Sequence, residues 1–331
     1  MEEIMKFKSL LPCLLLAAAC TLSPNSAQSA THLNLVSGAV SGKWYLNMGL
    51  IGKAIAAMYP DMEITMLPGA GRSNVIMADR GKADVTFSQA ALTAAARDGI
   101  SPYTSKVTRV CTLMNIQDPQ NFNVLVRRDL GIDSIDQIRE KKMPVRISTG
   151  PQGGNSEVYG RWLFEAYGIS FEELEKWGGK AFPSTMDGVI EAVQNNQADI
   201  VIWNGSGESW HIAEILKSMP FKALPISPEV AAKMEKEHGF RPALLPKEYY
   251  KGQIADADVP TICDWLEILV PASMPEETAY KITKAVAESL EFLSQGNPDW
   301  KKVTEDKMPQ DFVLPMHPGA ERYYRERGWI K

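Results

Sequence analysis

Directly after a strand-like run, the segment Gln152-Gly153-Gly154-Asn155-Ser156 sets two glycines, two amides and a hydroxyl ahead of an apolar-periodic stretch. A glycine pair at a helix start lets backbone N–H groups approach an anion closely, and the helix end itself favours negative charge. An ordinary N-cap at Ser156 is compatible with that role. The same grammar follows three other strand-like runs, in SGAVSGKWY (37–45), FSQAAL (87–92) and WNGSGES (203–209). Hydroxyls, amides and glycine N–H groups dominate these loops, which is equipment for holding a small polar ligand.

Equipment for turnover is harder to find. None of His32, His211, His238 and His317 has a second His or Cys at metal-ligand spacing, so a surface or capping role is expected for each and no metal or cofactor is implied. Gly205-Ser206-Gly207 lacks the spacing of a nucleophile elbow, and Gly153-Gly154-Asn155 has no following Gly-Lys-Ser/Thr of a phosphate loop. Glu172, Glu173 and Glu175 sit at a helix start, where acids favour the macrodipole. A secreted two-lobe enzyme acting on a small acid is the alternative to a binder; it needs a general base, and only Glu157 and Glu208 stand at the edges of the four loops. Trp44, Trp203 and Trp210 lie in or beside these turns, either as walls of a site or as covers of a lobe edge.

The elements that must position these loops alternate. LNLV, then Met48, Ile51, Ile55 and Met58 at helical spacing, then EITML, a short helix stopped at Gly81, and ADVTF read as strand, helix, strand, helix, strand. A similar run restarts mid-chain, with a capping box at Ser134 and Gln137, the strand PVRIS, and a helix carrying Val158, Trp162 and Leu163 on one face. Such alternation predicts mostly parallel sheets flanked by helices. In sheets of that kind, loops at the carboxyl ends of strands line the ligand crevice. After a poorly periodic segment from Met219 to Pro260, a strand and one long helix capped by Ser273 and Glu276 are expected.

A length of 331 residues exceeds one ordinary core, so two lobes are expected. A net charge of -5 with no long basic run excludes a nucleic-acid surface. Residues 1–29 read as a signal peptide, with Lys6 and Lys8 before an apolar run too short to span a bilayer and small residues at Ser26 to Ala30. Either Met1 or Met5 is the start. A free periplasmic protein is expected, with a lipid anchor at Cys20 as the alternative. The remaining Cys111 and Cys263 would then lie in an oxidising compartment, as a disulfide or as two buried thiols in separate strands.

The ordered segments Gly42-Lys43-Trp44-Tyr45, Pro68-Gly69-Ala70-Gly71 with Asn74, Gly81-Lys82-Ala83-Asp84 leading to Gln89, Gly150 to Val158, Ala198-Asp199, Val259-Pro260-Thr261 and His317-Pro318-Gly319-Ala320 span the chain from His32 onward. In this order they resemble the TAXI family, the solute-binding proteins of tripartite ATP-independent periplasmic (TRAP) transporters. The resemblance implies an α/β two-lobed periplasmic-binding-protein fold of the second topological class, with lobe 1 formed by 30–127 and 257–331 and lobe 2 by 128–256. It implies a monomeric, non-catalytic receptor that closes on a small solute and delivers it to a membrane permease. A receptor serving a membrane sensor or an ATP-driven importer shares the same fold. The family's ligand-facing turns correspond to Ser41, Gly42, Trp44 and Tyr45, to Gln89, to Gln152, Gly153, Gly154, Asn155 and Ser156, and to Asn204, Gly205 and Ser206. Lys43 and Arg72 depart from the family pattern, and two cations near the cleft favour an acidic amino acid or dicarboxylate.

Overall fold

The computed structural model describes residues 30–331; the leader, both candidate starts and Cys20 lie outside the described residues. The first half of the chain runs β1 (Thr31–Val36), α1 (Lys43–Met58), β2 (Met62–Leu67), α2 (Gly71–Asp79), β3 (Val85–Gln89), α3 (Ala90–Asp98), β4 (Val110–Asn115), β5 (Gln120–Arg127), α4 (Ile135–Glu140), β6 (Arg146–Thr149) and α5 (Asn155–Ala166). It continues through α6 (Phe171–Lys176), β7 (Lys180–Pro183), α7 (Met186–Gln194), β8 (Ile200–Gly205), α8 (Trp210–Ser218), β9 (Phe221–Ala223), α9 (Pro228–His238) and β10 (Arg241–Leu245). It ends with β11 (Val259–Asp264), β12 (Leu266–Pro271), α10 (Glu276–Ala287), α11 (Leu290–Gly296) and α12 (Pro318–Glu326).

The strands form two sheets, one in the order β2-β1-β3-β12-β4 and one in the order β10-β11-β5-β8-β6-β7 with β9 against β5. Strands joined through a helix run parallel, as in β1 with β2 and β3, and β6 with β7. The strands that carry the chain between lobes run antiparallel to their neighbours: β12 between β3 and β4, and β5 against β8 and β11. Each sheet is therefore mixed, within the two-lobed α/β architecture that the alternation predicts.

The crossings fall at 116–119 and at Trp265, which stands alone between β11 and β12. The sequence reading placed them after Arg127 and before Ala257. Instead β5 and β11 pair with each other in the second sheet, Cys263 opposite Asn121 and Asp264 opposite Gln120. The reason is that β5 begins with the polar Gln120 and Asn121 and carries Asn123, so its buried length does not read as a core strand until Val124. Cys111 lies on β4 in the first sheet and Cys263 on β11 in the second, and both are free thiols, so the disulfide reading is replaced by the separate-strand one. Burial raises the pKa of both, most for Cys263, which is pushed up to about 11.

Met48, Ile51 and Ile55 of α1 are fully buried against the first sheet together with Ile282, Ala285 and Val286 of α10. The anticipated long helix is two: α10 ends at Ala287, Ser289 leaves helical geometry, and α11 follows. Ser273 caps nothing; Pro275 holds the N-cap position of α10. At the second crossing, buried Asp264 accepts the Ala91 N–H of α3 at 3.0 Å and the Tyr159 hydroxyl of α5 at 2.7 Å, tying both lobes to one carboxylate.

Candidate functional site

The strand ends of both lobes face one another across a cavity of about 220 Å³. The first lobe contributes the turn after β1, with Gly38, Ala39, Gly42, Lys43 and Trp44, then Gly69, Ala70 and Gly71 ahead of α2, and Gln89 at the end of β3. The second contributes Gly150, Pro151, Gly154, Asn155 and Ser156 after β6, and Trp203 to Ser206 with Glu208 to His211 after β8; Gln120 and Met186 complete the wall.

The Pro-Gly-Ala-Gly segment is shaped by how closely it is approached. Buried Asn74 donates to Ser37 O at 2.8 Å and Phe87 O at 2.9 Å and accepts the Ala70 N–H at 3.0 Å, so one amide ties the ends of β1, β2 and β3 together. A Cβ at Gly69 would stand 2.2 Å from the Asn74 Oδ1, and one at Gly71 would stand 1.7 Å from the Asn155 Oδ1 of the opposite lobe. The lobes are thus in contact. Gln89 Nε2 donates to Asn204 Oδ1 at 2.6 Å and its Oε1 accepts from Asn155, while the Arg72 N–H reaches Gly153 O at 3.3 Å.

Five helices, α1, α2, α3, α5 and α8, start at the cavity wall with N-cap residues Gly42, Ala70, Gln89, Gly154 and Ser209, and none of the five side chains caps its helix; in α3 the Ala90 and Ala91 N–H groups are taken by Trp265 O and Asp264. The N–H groups of Lys43, Trp44, Gly71, Asn155, Ser156, Trp210 and His211 find no acceptor among the described residues. Helices α4, α6 and α9, which start away from the cavity, are capped by Ser134, Ser170 and Ser227, and each carries an acid in its first turn; α7, whose first residue Met186 lines the cavity, is likewise capped, by Thr185, and carries Asp187. Helices α1, α2 and α8 carry none there, and in α5 the acid, Glu157, accepts the Gly153 N–H at 3.0 Å and pairs with Arg161. Unsatisfied N–H groups and uncompensated positive helix ends therefore converge on one cavity, an arrangement that stabilises an anion.

Of the residues expected at the site, Gly42, Lys43, Trp44, Gln89, Gly154, Asn155, Ser156, Asn204, Gly205 and Ser206 line the cavity. Ser41, Tyr45, Arg72, Gln152 and Gly153 do not. Tyr45 follows Trp44 on α1 and so points about 100° away from it. Arg72 turns outward, its Nε donating to Pro102 O at 2.8 Å. Gly153 takes φ +72° in the turn and spends its own N–H on Glu157.

Lys43 is not a free cation. Its ammonium lies 2.8 Å from Asp299 and 3.0 Å from Ser206 O in the second lobe. Asp299 is brought there by a short helix, Pro298–Lys302, whose N-cap Asn297 (through Nδ2) and Trp300 (through Nε1) both donate to Asn47 of α1, at 2.8 and 3.2 Å. The Lys43 ammonium holds the Asp299 carboxyl below its ordinary value against the opposing cost of burial. Beside them, burial and the Asp299 charge push Asp118 up to about 6.

His211 departs from the surface or capping role: it is buried, its ring stacked on Trp210 at 3.7 Å and tilted against Trp203 at 5.1 Å. Burial lowers its pKa, which favours the neutral ring. His317 does cap, accepting the Gly319 N–H at the start of α12. Trp203 and Trp210, left open by the sequence between wall and cover, both stand in the wall. Met186 had no local signal. Among the described residues no group of three or more His, Cys, Asp and Glu could hold a metal ion.

Two lobes joined by two crossings around such a cavity define a periplasmic-binding-protein fold. The NMT1-like family profile matches residues 35–328, and the chain belongs to that family. Solved structures share the fold at low identity. MatC from Rhodopseudomonas palustris with bound malate is 14% identical with a TM-score of 0.52, over 90% of this chain and 97% of that one. PhnD1 from Prochlorococcus marinus in complex with methylphosphonate is 12% identical with a TM-score of 0.55, over 91% of this chain and 100% of that one. A binding protein component of an ABC phosphonate transporter from Pseudomonas aeruginosa is 11% identical with a TM-score of 0.50, over 82% of this chain and 79% of that one.

Proposed function

We propose that this protein is an extracytoplasmic solute receptor that closes its two lobes on a small carboxylate-bearing solute and delivers it to a TRAP-type membrane permease. The observation that carries the reading is the convergence of uncapped helix starts from both lobes on one cavity, with Gly154, Asn155 and Ser156 at its centre. A carboxylate there would accept from N–H groups that are otherwise unsatisfied, in a site shielded from water where such charge-assisted bonds are strongest. Closure would turn about 116–119 and Trp265, and population shift suffices if the solute binds the closed form better. Export through the leader at 1–29 and a monomeric state belong to the same reading, as does the absence of catalysis. The two carboxylates that stood as candidate bases are engaged in turn contacts, Glu157 as above and Glu208 with the Tyr250 N–H.

The test is a thermal-shift screen of protein unfolded and refolded to remove any bound solute, against mono- and dicarboxylates, amino acids and sugars. A carboxylate at ~100 times its dissociation constant adds ~2.7 kcal/mol and raises the transition by a few degrees. A protein that responds to no carboxylate, or only to sugars, is not the receptor proposed.

A further inference from the structure

We propose, resting on the receptor reading, that the solute is a monocarboxylate with a flat apolar body, an aromatic acid above all, and that dicarboxylates and acidic amino acids are disfavoured. The charge inventory of the cavity carries the first half. Among the described residues Lys43 is the one lysine or arginine in the wall, and it is already paired with Asp299 at 2.8 Å, a carboxylate that Lys302 also approaches at 3.7 Å. A second carboxylate brought to Lys43 would have to displace Asp299 and would meet buried Asp118 close by. Arg72 is turned to Pro102 O; of the other ionisable groups of the wall, Glu208 is acidic and burial of His211 favours its neutral ring. What remains for an anion is the set of helix N–H groups, each end worth only a partial positive charge. A solute carboxylate left without those donors would be buried unpaired against rings, which is strongly unfavourable.

The shape and lining carry the second half. Trp203, His211 and Trp210 make a continuous aromatic face on the second lobe, with Met186 and Pro151 beside it, and Trp44 stands in the first lobe, itself edge-on to Phe87 at 6.0 Å. Trp210 stacks one face on His211 and is still 53% exposed, so part of its ring is open to a second partner. The cavity volume of about 220 Å³ suits a small solute such as one ring with a short acid arm. A ring stacked on Trp210 gains both buried area and the geometric preference of aromatic pairs.

Isothermal titration of the refolded protein with phenylacetate, benzoate, butyrate, succinate, glutamate and the uncharged phenylacetamide tests this. Phenylacetate or benzoate is expected to bind at least about tenfold more tightly than succinate or glutamate, with a change in tryptophan emission; tenfold is the scale of one aromatic contact. Trp210→Ala is expected to weaken the aromatic acid by about tenfold and butyrate by less than about twofold, with an unchanged melting temperature for the free protein. Tighter binding of succinate or glutamate, equal binding of phenylacetamide, or an equal loss for butyrate in Trp210→Ala overturns the ligand class while leaving the receptor standing. Binding by none of the acids overturns both.

Discussion

Lys43 and Asp299, 256 positions apart in the chain, form a 2.8 Å ion pair at the rim of the cavity, and the same ammonium donates to Ser206 O in the opposite lobe. The pair is partly exposed, so after solvent screening it is worth only ~1 kcal/mol. Its importance is geometric: it spends the ammonium of the cavity wall on holding the lobes together.

Replacing that ammonium should therefore weaken binding without abolishing it. Lys43→Met is expected to reduce affinity for the bound acid by about tenfold or less, as one lost cross-lobe contact would. Asp299→Asn is expected to do something different, releasing the cation and improving succinate relative to the monocarboxylates. Titration of both variants with the same acids checks this; loss of all binding in Lys43→Met would show that the ammonium touches the solute.

Gly71→Ala should separate folding from closure. Its Cβ would come within 1.7 Å of Asn155 Oδ1 across the cavity, although Leu92 of its own lobe would also have to yield. The free protein is expected to melt within a few degrees of the wild type, while affinity falls by more than about tenfold, because overpacking of ~1–3 kcal/mol falls on the closed form. An unchanged affinity would mean that the solute binds without the lobes meeting here.

Glu267, fully buried on β12, has one oxygen accepting the Val313 N–H at 3.1 Å and the other unpartnered. Burial pushes its carboxyl from 4.5 up to about 8, with the charge of Asp264 adding to the effect. Because the folded value is raised, folding favours the protonated form; its contribution is complete below pH ~4.5 and is lost as pH rises through ~8. Glu267→Gln is expected to remove this dependence, so the wild type should lose on the order of 1–3 kcal/mol relative to the variant between pH 5 and pH 8. Denaturant titrations at the two pH values measure it, and parallel behaviour of the two proteins would place the proton elsewhere.

Much of this was legible in the sequence where the signal is local. The helix-period spacing of Met48, Ile51 and Ile55, and the glycines and amides at 152–156, announce a helix face and a helix start that the structure contains. Ser227, Pro228 and Gly239 also carry start and stop signals for α9, in a segment read as poorly periodic. What sequence cannot show is pairing between distant parts of the chain. The residues of β5 do not say which sheet it joins, and nothing near Lys43 says that Asp299 will pair with it. The cation argument for a dicarboxylate counted charges along the chain, and the partners of Lys43 and Arg72, Asp299 and Pro102 O, lie elsewhere in it. Trp210 and His211 belong to the same class, since an aromatic beside a turn becomes a wall only when the opposite lobe arrives.

The most direct test of the receptor account is a crystal structure of the protein grown with whichever acid gives the largest thermal shift. The account predicts one carboxylate between the lobes, with an oxygen ~2.7–3.2 Å from the backbone nitrogens of Asn155 and Ser156, and the apolar body against Trp210 and Trp203. A carboxylate bound to Lys43 with Asp299 displaced, or a solute seated outside the cavity, would contradict it.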